Sequence, residues 1–126
     1  VKELLRELSA KSIMIDGNLY FYMGDIYADC PDIPKCIFLS GFDQLMLGYQ
    51  KKESIYLKSE YLRGVFNLAG IVMPSILLDG NVAGTWKKKN RTLEVKCFRE
   101  IAEEERNDIE KSAILLWGDI RAVKYI

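Results

Sequence analysis

Between Gly70 and Cys97 three β-rich apolar runs follow one another, separated by short turn sequences. "IVMPSILL" is apolar, Asp79-Gly80 is a tight-turn dipeptide, and "NVAGTWK" brings the chain back. "KKNR" turns it again, and "TLEVKCF" alternates, with Leu93, Val95 and Cys97 on one side and Thr92, Glu94 and Lys96 on the other. A period of two between turn signals predicts a three-stranded antiparallel meander with one face in a core. Pro74 lacks a backbone donor and pushes the first run toward a sheet edge or bulge. Gly84 marks a bulge or a close approach of two backbones. Trp86, ending an apolar strand, is expected in the core.

The remaining segments are predicted to be helices and one more hairpin. Leu4, Leu5 and Leu8 share a helical face, so a short amphipathic helix is expected up to about Ala10. "SIMIDGNLYFYM" then places two strand-like runs around Asp16-Gly17, a second hairpin signal. Helix followed by hairpin is the second half of a winged-helix unit: recognition helix, strand, wing, strand. "GDIYADCPDIPK" is acidic, contains two prolines and reads as a linker. Cys36 to Leu39 read as a buried strand. Asp43 is placed to cap a short helix over "QLMLG" ended by Gly48, and Ser59 to cap another through "EYLRGVF". Glu100 to Ile120 read as a closing helix, acidic in its first turns where the helix dipole favours negative charge. Gly118 argues against an intact helical end. The expected class is α+β, divided as 1–24, the end of a winged-helix unit; 25–35, a linker; and 36–126, a β-rich domain with a terminal helix. Val1 opens directly into "VKELLREL" without Met or cap, so the chain is expected to be a piece of something longer.

Composition excludes more than it assigns. The chain has 126 residues, 18 Lys plus Arg against 18 Asp plus Glu, and no histidine. Zero net charge gives no overall attraction to nucleic acid or to an anionic membrane. Without histidine the commonest general base and the commonest metal ligand are both missing. Cys30, Cys36 and Cys97 lack zinc spacing and are expected to be free thiols in a reducing cytoplasm. No apolar run approaches the ~20 residues of a membrane span.

Charge is distributed unevenly. Gly84 to Arg99 carries Lys87, Lys88, Lys89, Arg91, Lys96 and Arg99 against Glu94 alone, and Glu100 to Glu110 then holds six acidic residues against Arg106. The basic block is either a phosphate-contacting hairpin tip, with steep salt dependence and little sequence preference, or a solvated tip partly neutralised by the acidic helix. Tyr20, Phe21 and Tyr22 either stack on bases or divide between core and surface. Asp16 and Asp79 lie in turns where their side chains bond locally, so no poised carboxylate pair emerges. There is no Gly-x-Ser-x-Gly sequence and no phosphate-binding glycine loop.

"GFDQLMLGYQKKESIY", followed by "PSILLDGNVAGTW", resembles the C-terminal part of winged-helix DNA-binding proteins related to the DNA glycosylases that unhook interstrand crosslinks. The matching residues are Phe42, Asp43, Gly48, Pro74, Leu77, Asp79, Gly80, Gly84, Thr85 and Trp86, and the match runs from about Cys36 to the end. The resemblance implies tandem winged-helix units and a small barrel-like β domain, DNA binding, and in the characterised branch excision of alkylated bases. That branch uses a glutamine-containing motif in its N-terminal region, which this chain lacks. No catalytic residue, cofactor or metal ligand is therefore carried over, and the chain alone is expected to be inactive as a glycosylase. Its implied partners are double-stranded DNA and the upstream winged-helix domains. Phosphate contacts are expected from Lys87, Lys88, Lys89, Arg91, Lys51 and Lys52, and from Lys2, Arg6 and Lys11 on the helix–wing. The competing expectation is a packing module that touches no DNA.

Overall fold

The structure is a computed structural model that describes residues 2–26, 32–51 and 54–126. It divides into two compact units, Val1–Ile33 and Pro34–Ile126. In the first, helix α1 (Lys2–Glu7) precedes the antiparallel strands β1 (Lys11–Ile15) and β2 (Asn18–Tyr22). Asp16 and Gly17 turn the hairpin with φ of 49° and 79°, the paired left-handed geometry that Asp-Gly adopts readily. No described residue of this unit is buried, and Met14, Leu19 and Phe21 are all more than half exposed.

The second unit is built on a five-stranded sheet in the order β3 (Cys36–Leu39), β4 (Ser75–Leu78), β5 (Asn81–Lys89), β6 (Thr92–Cys97), β7 (Ala122–Tyr125). The first four strands are antiparallel neighbours, and β7 lies parallel to β6 after a helical crossover. The meander is therefore the centre of a wider sheet. Among the described strands the sheet is open, with β3 and β7 at its edges, which corrects the barrel-like expectation. Packed layers take the place of barrel closure. Helix α4 (Glu103–Trp117) lies against one face, and a layer of short helices lies against part of the other.

Each face has its own core. Cys36, Ile76, Leu78, Ala83, Leu93 and Val95 meet Ile109 and Ala113 of α4, with Phe38, Trp86, Trp117, Val123 and Tyr125 around them. Leu39, Leu77 and Val82 point the other way, to Met46 of α2 (Gln44–Leu47), Val65 of α3 (Leu62–Val65), and Leu57, Phe66 and Val72. Asp43 caps α2 as expected, accepting the Leu45 N–H at 2.9 Å. Ser59 does not cap: it lies inside a 3₁₀ turn (Ser59–Tyr61) that runs into α3, and Lys58 is the residue before it. Pro74 stands just before β4, where its missing donor costs no ladder bond.

Both expectations for Gly84 hold. The register slips by one residue between Ile76 and Leu77, so Ala83 is the extra residue of a bulge beside it. A Cβ at Gly84 would press into the Lys96 carbonyl oxygen and lie 3.1 Å from the Cys97 Cα. Backbone cannot yield as a side-chain tip can. Helix α4 ends at Gly118, whose φ of 67° lets its N–H reach the Ile114 carbonyl at 2.7 Å. The helix begins without a side-chain acceptor at Ala102, but Glu105 reaches back to the Ala102 N–H at 3.0 Å. Glu105 also accepts the Arg99 guanidinium on both carboxylate oxygens.

The close approach at Gly84 and the ion pair at Glu105 each have a measurable effect on stability. Gly84→Ala should destabilise the chain by about 1–3 kcal/mol, measured by urea unfolding, whereas a substitution at Gly80, which has open space but φ of 77°, should cost only the backbone strain. Arg99, above all, and the Ala102 N–H hold the Glu105 carboxyl down at about 2 against an ordinary 4.5, while burial opposes them. A depressed carboxylate stabilises the fold above its unfolded pKa and loses that contribution as pH falls through its folded one. The thermal midpoints of the parent and Glu105→Gln should therefore differ most above pH 5 and converge between about pH 4.5 and 2.

Candidate nucleic-acid interface

The parity of β5 decides where its lysines go. The turn is expected over Lys88 to Arg91, but the strand continues through Lys89 and only Asn90 and Arg91 make the turn, with Asn90 at φ 52°. In a strand, successive side chains alternate between faces. Trp86 packs toward α4, so Lys88 shares that face while Lys87 and Lys89 take the opposite one. The Lys88 ammonium is half-buried, 3.3 Å from the Asp119 carboxylate and 2.7 Å from the Asn90 carbonyl. Lys87 and Lys89 are exposed, and Lys89 pairs with Glu94 at 3.0 Å.

The strands beside β5 extend the same face. Lys96 stands opposite Thr85, Glu94 opposite Lys87, and Lys124 of β7 beside Glu94. Cross-strand partners point to the same side, so Lys87, Lys89, Lys96 and Lys124 share one surface with Thr85, Thr92, Glu94 and Ala122. All four lysines are exposed. The short-helix layer that covers the same side of the sheet over β3 and β4 carries exposed Lys51, Lys58 and Arg63 against Asp43 and Glu60. The Lys51 ammonium lies 4.7 Å from the Phe66 ring centroid and that of Lys58 lies 5.8 Å from Tyr61, both cation–π distances. The other side of the sheet bears α4, with Glu103, Glu104, Glu105, Asp108 and Glu110 against Arg106 and Lys111. A chain with no net charge is thus basic on one side of its sheet and acidic on the other.

The remaining expected contacts belong to the first unit or fall outside the described residues. Lys52 lies outside the described residues. Lys2 opens α1, and its side chain is also outside them. Arg6 is exposed on α1 and lines a shallow hollow with Leu5, Ser9, Ala10 and Phe21. Lys11 is held to Asp25 at 2.6 Å across the foot of the hairpin. Tyr20 and Tyr22 are half-buried and Phe21 exposed, the division that alternation along β2 produces. Sequence reasoning missed Lys124. The signal, "AVKY" alternating after Gly118, is only four residues long and pairs with a strand far away in sequence.

A family model described as DNA glycosylase AlkZ-like matches residues 1–116. The chain belongs to the AlkZ-like family. It is 33% identical over 75 residues to an interstrand DNA cross-link repair glycosylase of Streptomyces sahachiroi, a match covering 60% of this chain and 20% of that protein. The solved structure of the Streptomyces sahachiroi DNA glycosylase AlkZ resembles it with a TM-score of 0.77 and 25% identity, over 93% of this chain and 33% of that one. The chain therefore spans about a third of the AlkZ structure it matches. Within the described residues of this AlkZ-like chain, no helix is long and apolar enough to cross a membrane.

Burial disfavours the thiolate form of both described cysteines. Burial pushes the Cys36 thiol up to about 11, and burial also raises that of Cys97. Thiolate is the reactive form. At pH 7.5 both should alkylate slowly with iodoacetamide and rapidly once urea unfolds the chain, as peptide mass spectrometry reads residue by residue.

Proposed function

We propose that this chain is a DNA-binding module of an AlkZ-like glycosylase, gripping duplex phosphates without itself excising a base. The carrying observation is the separation of charge across the sheet. Lys87 and Lys89 stand near the end of the β5–β6 hairpin on the basic side, away from the acidic α4, and Arg91 is exposed in the turn itself. Phosphate contacts by such residues give affinity and register without sequence information. Lys51 and Lys52, which follow α2 in sequence, add further charge. Lys88 is left out, because its ammonium is paired with Asp119 on the α4 side.

In this reading the first unit is the close of a winged helix. Helix α1 is its recognition helix and the β1–β2 hairpin its wing, with Lys2, Arg6 and Lys11 as contributors to DNA contact. The exposed apolar residues of that unit agree with a helix–hairpin whose core is completed by other parts of a longer protein. Base excision is assigned to the part of such a protein that resembles the characterised branch's glutamine-motif region. Its substrate is DNA, and its compartment the cytoplasm.

A second reading, a packing module without DNA contact, is favoured by one observation. Leu115 is 90% exposed on α4, and with Leu116, Pro34, Ile37 and Phe38 it lines an apolar hollow of about 310 Å³ beside the β3 edge. Binding of a short fluorescent duplex by the 126-residue chain, titrated with salt, separates the two. The parent should bind in the ~10⁻⁴–10⁻⁶ M range typical of non-specific association, more tightly as salt falls. Lys87→Ala/Lys89→Ala/Arg91→Ala should flatten the plot of log K against log salt by about 0.9 for each phosphate no longer neutralised. No binding by the parent at about 50 mM salt sinks the DNA-binding reading and leaves the packing one.

A further inference from the structure

We infer that the uncovered half of the sheet, and not the β5–β6 turn alone, receives the DNA backbone, with Glu94 as a built-in counter-ion. This rests on the DNA-binding reading above and extends it to residues on three strands. Lys96 from β6 and Lys124 from β7 stand on the same exposed face as Lys87 and Lys89 from β5. At the end of the strands the chain closes on itself, the Arg121 N–H donating to the Arg91 carbonyl at 2.8 Å, while Arg121 lines a hollow with Glu110 and Ile114 of α4 and is no part of this face. Neighbouring strands lie about 4.8 Å apart and alternate residues on one face about 7 Å apart. Duplex DNA presents a charge for roughly every 1.7 Å of its axis. Lysines spread over three strands therefore meet several phosphates at once, and a lone hairpin tip does not.

The chemistry of the face also sets the kind of ligand. Its side chains are lysine, threonine, alanine and one glutamate, with neither the Asn, Gln or Arg forks that read base edges nor an aromatic ring on which an unpaired base would stack. Tyr61 and Phe98, which pack with the short-helix layer, are half-buried, their ring centroids 5.1 Å apart and their planes inclined by 33°. The ligand is thus the phosphate backbone of duplex DNA, held irrespective of sequence.

Glu94 is the single carboxylate on that surface among the described residues. It sits opposite Lys87, beside Lys124, and bonded to Lys89 at 3.0 Å. Its carboxylate occupies the position a phosphate takes on arrival, so the lysine must exchange one anion for another. Exposed pairs of this kind add little to stability. Neutralising Glu94 therefore frees a cation without unfolding the sheet.

Duplex binding by the full chain tests this with three variants, each checked for an unchanged thermal midpoint. Lys96→Ala/Lys124→Ala should weaken binding at least several-fold and flatten the salt slope by about 0.9 per lysine. Glu94→Gln should tighten binding several-fold. Lys88→Ala, on the opposite face, should match the parent to within about twofold, and scrambling the duplex sequence should change nothing. If Lys96→Ala/Lys124→Ala binds like the parent while the triple hairpin variant does not, the turn acts alone; this inference falls and the DNA-binding reading stands. Binding by Glu94→Gln that is equal to or weaker than the parent overturns the counter-ion role. A parent that binds no duplex at low salt removes both.

Discussion

The orientation of Trp86 governs the arrangement of the second unit. Its indole N–H donates to the Leu39 carbonyl at 2.9 Å, linking β5 to β3 on the far side of β4, and its ring stands 5.8 Å from Phe38 and 5.0 Å from Trp117. Phe38 and Trp117 complete the triangle at 5.0 Å. Strand β3, strand β5 and the end of α4 are thereby tied at one point. A buried indole must find an acceptor, and the Leu39 carbonyl fixes the face it uses. With Trp86 turned toward α4, strand alternation sends Lys88 to Asp119 and Lys87 and Lys89 to solvent. A slip of one residue would reverse all three.

The bulge at Ala83 makes that register possible. Val82 faces the short-helix layer and Gly84 faces α4, with one extra residue between them. Without it, the buried set before the bulge and the lysine set after it would not fall on their present faces. Gly84 serves the same end, since only a residue without Cβ lets β5 approach the Lys96 carbonyl. Core packing on the α4 side and charge display on the other are consequences of one local irregularity.

What was legible in the sequence was local. Asp-Gly turns, the Asp43 cap, the Gly118 stop and the alternation of "TLEVKCF" each depend on residues close together, and the structure contains all of them. Ser59 was misjudged because capping needs an extended residue at the boundary, and the backbone turns helical one residue earlier than its hydroxyl suggested. Strand β7 was missed because a parallel partner is chosen by a crossover helix and not by neighbours in sequence. The lysines were recognised as a block, but a block is a property of composition. Their division into an outward set and an inward one depends on Trp86 and the bulge, which act through distant contacts.

The two Asp-Gly-Asn turns show how far turn chemistry reaches. Both reverse the chain with the same pair of positive φ values, Asp16 and Gly17 at 49° and 79°, Asp79 and Gly80 at 46° and 77°. Strand β4 before the second turn is buried along its whole length, whereas β1 before the first is exposed along its whole length. Turn residues therefore set register and leave burial to whatever packs on the strands. For the second hairpin those partners are α4 on one face and the layer containing Val65 and Phe66 on the other, and on that other face β5 is buried only as far as Thr85. Beyond that point the strands still have their register but have lost their cover, so side chains on the open face must be soluble ones. Lysine satisfies that requirement and supplies charge in the same step, which is how an incomplete layer produces a basic surface.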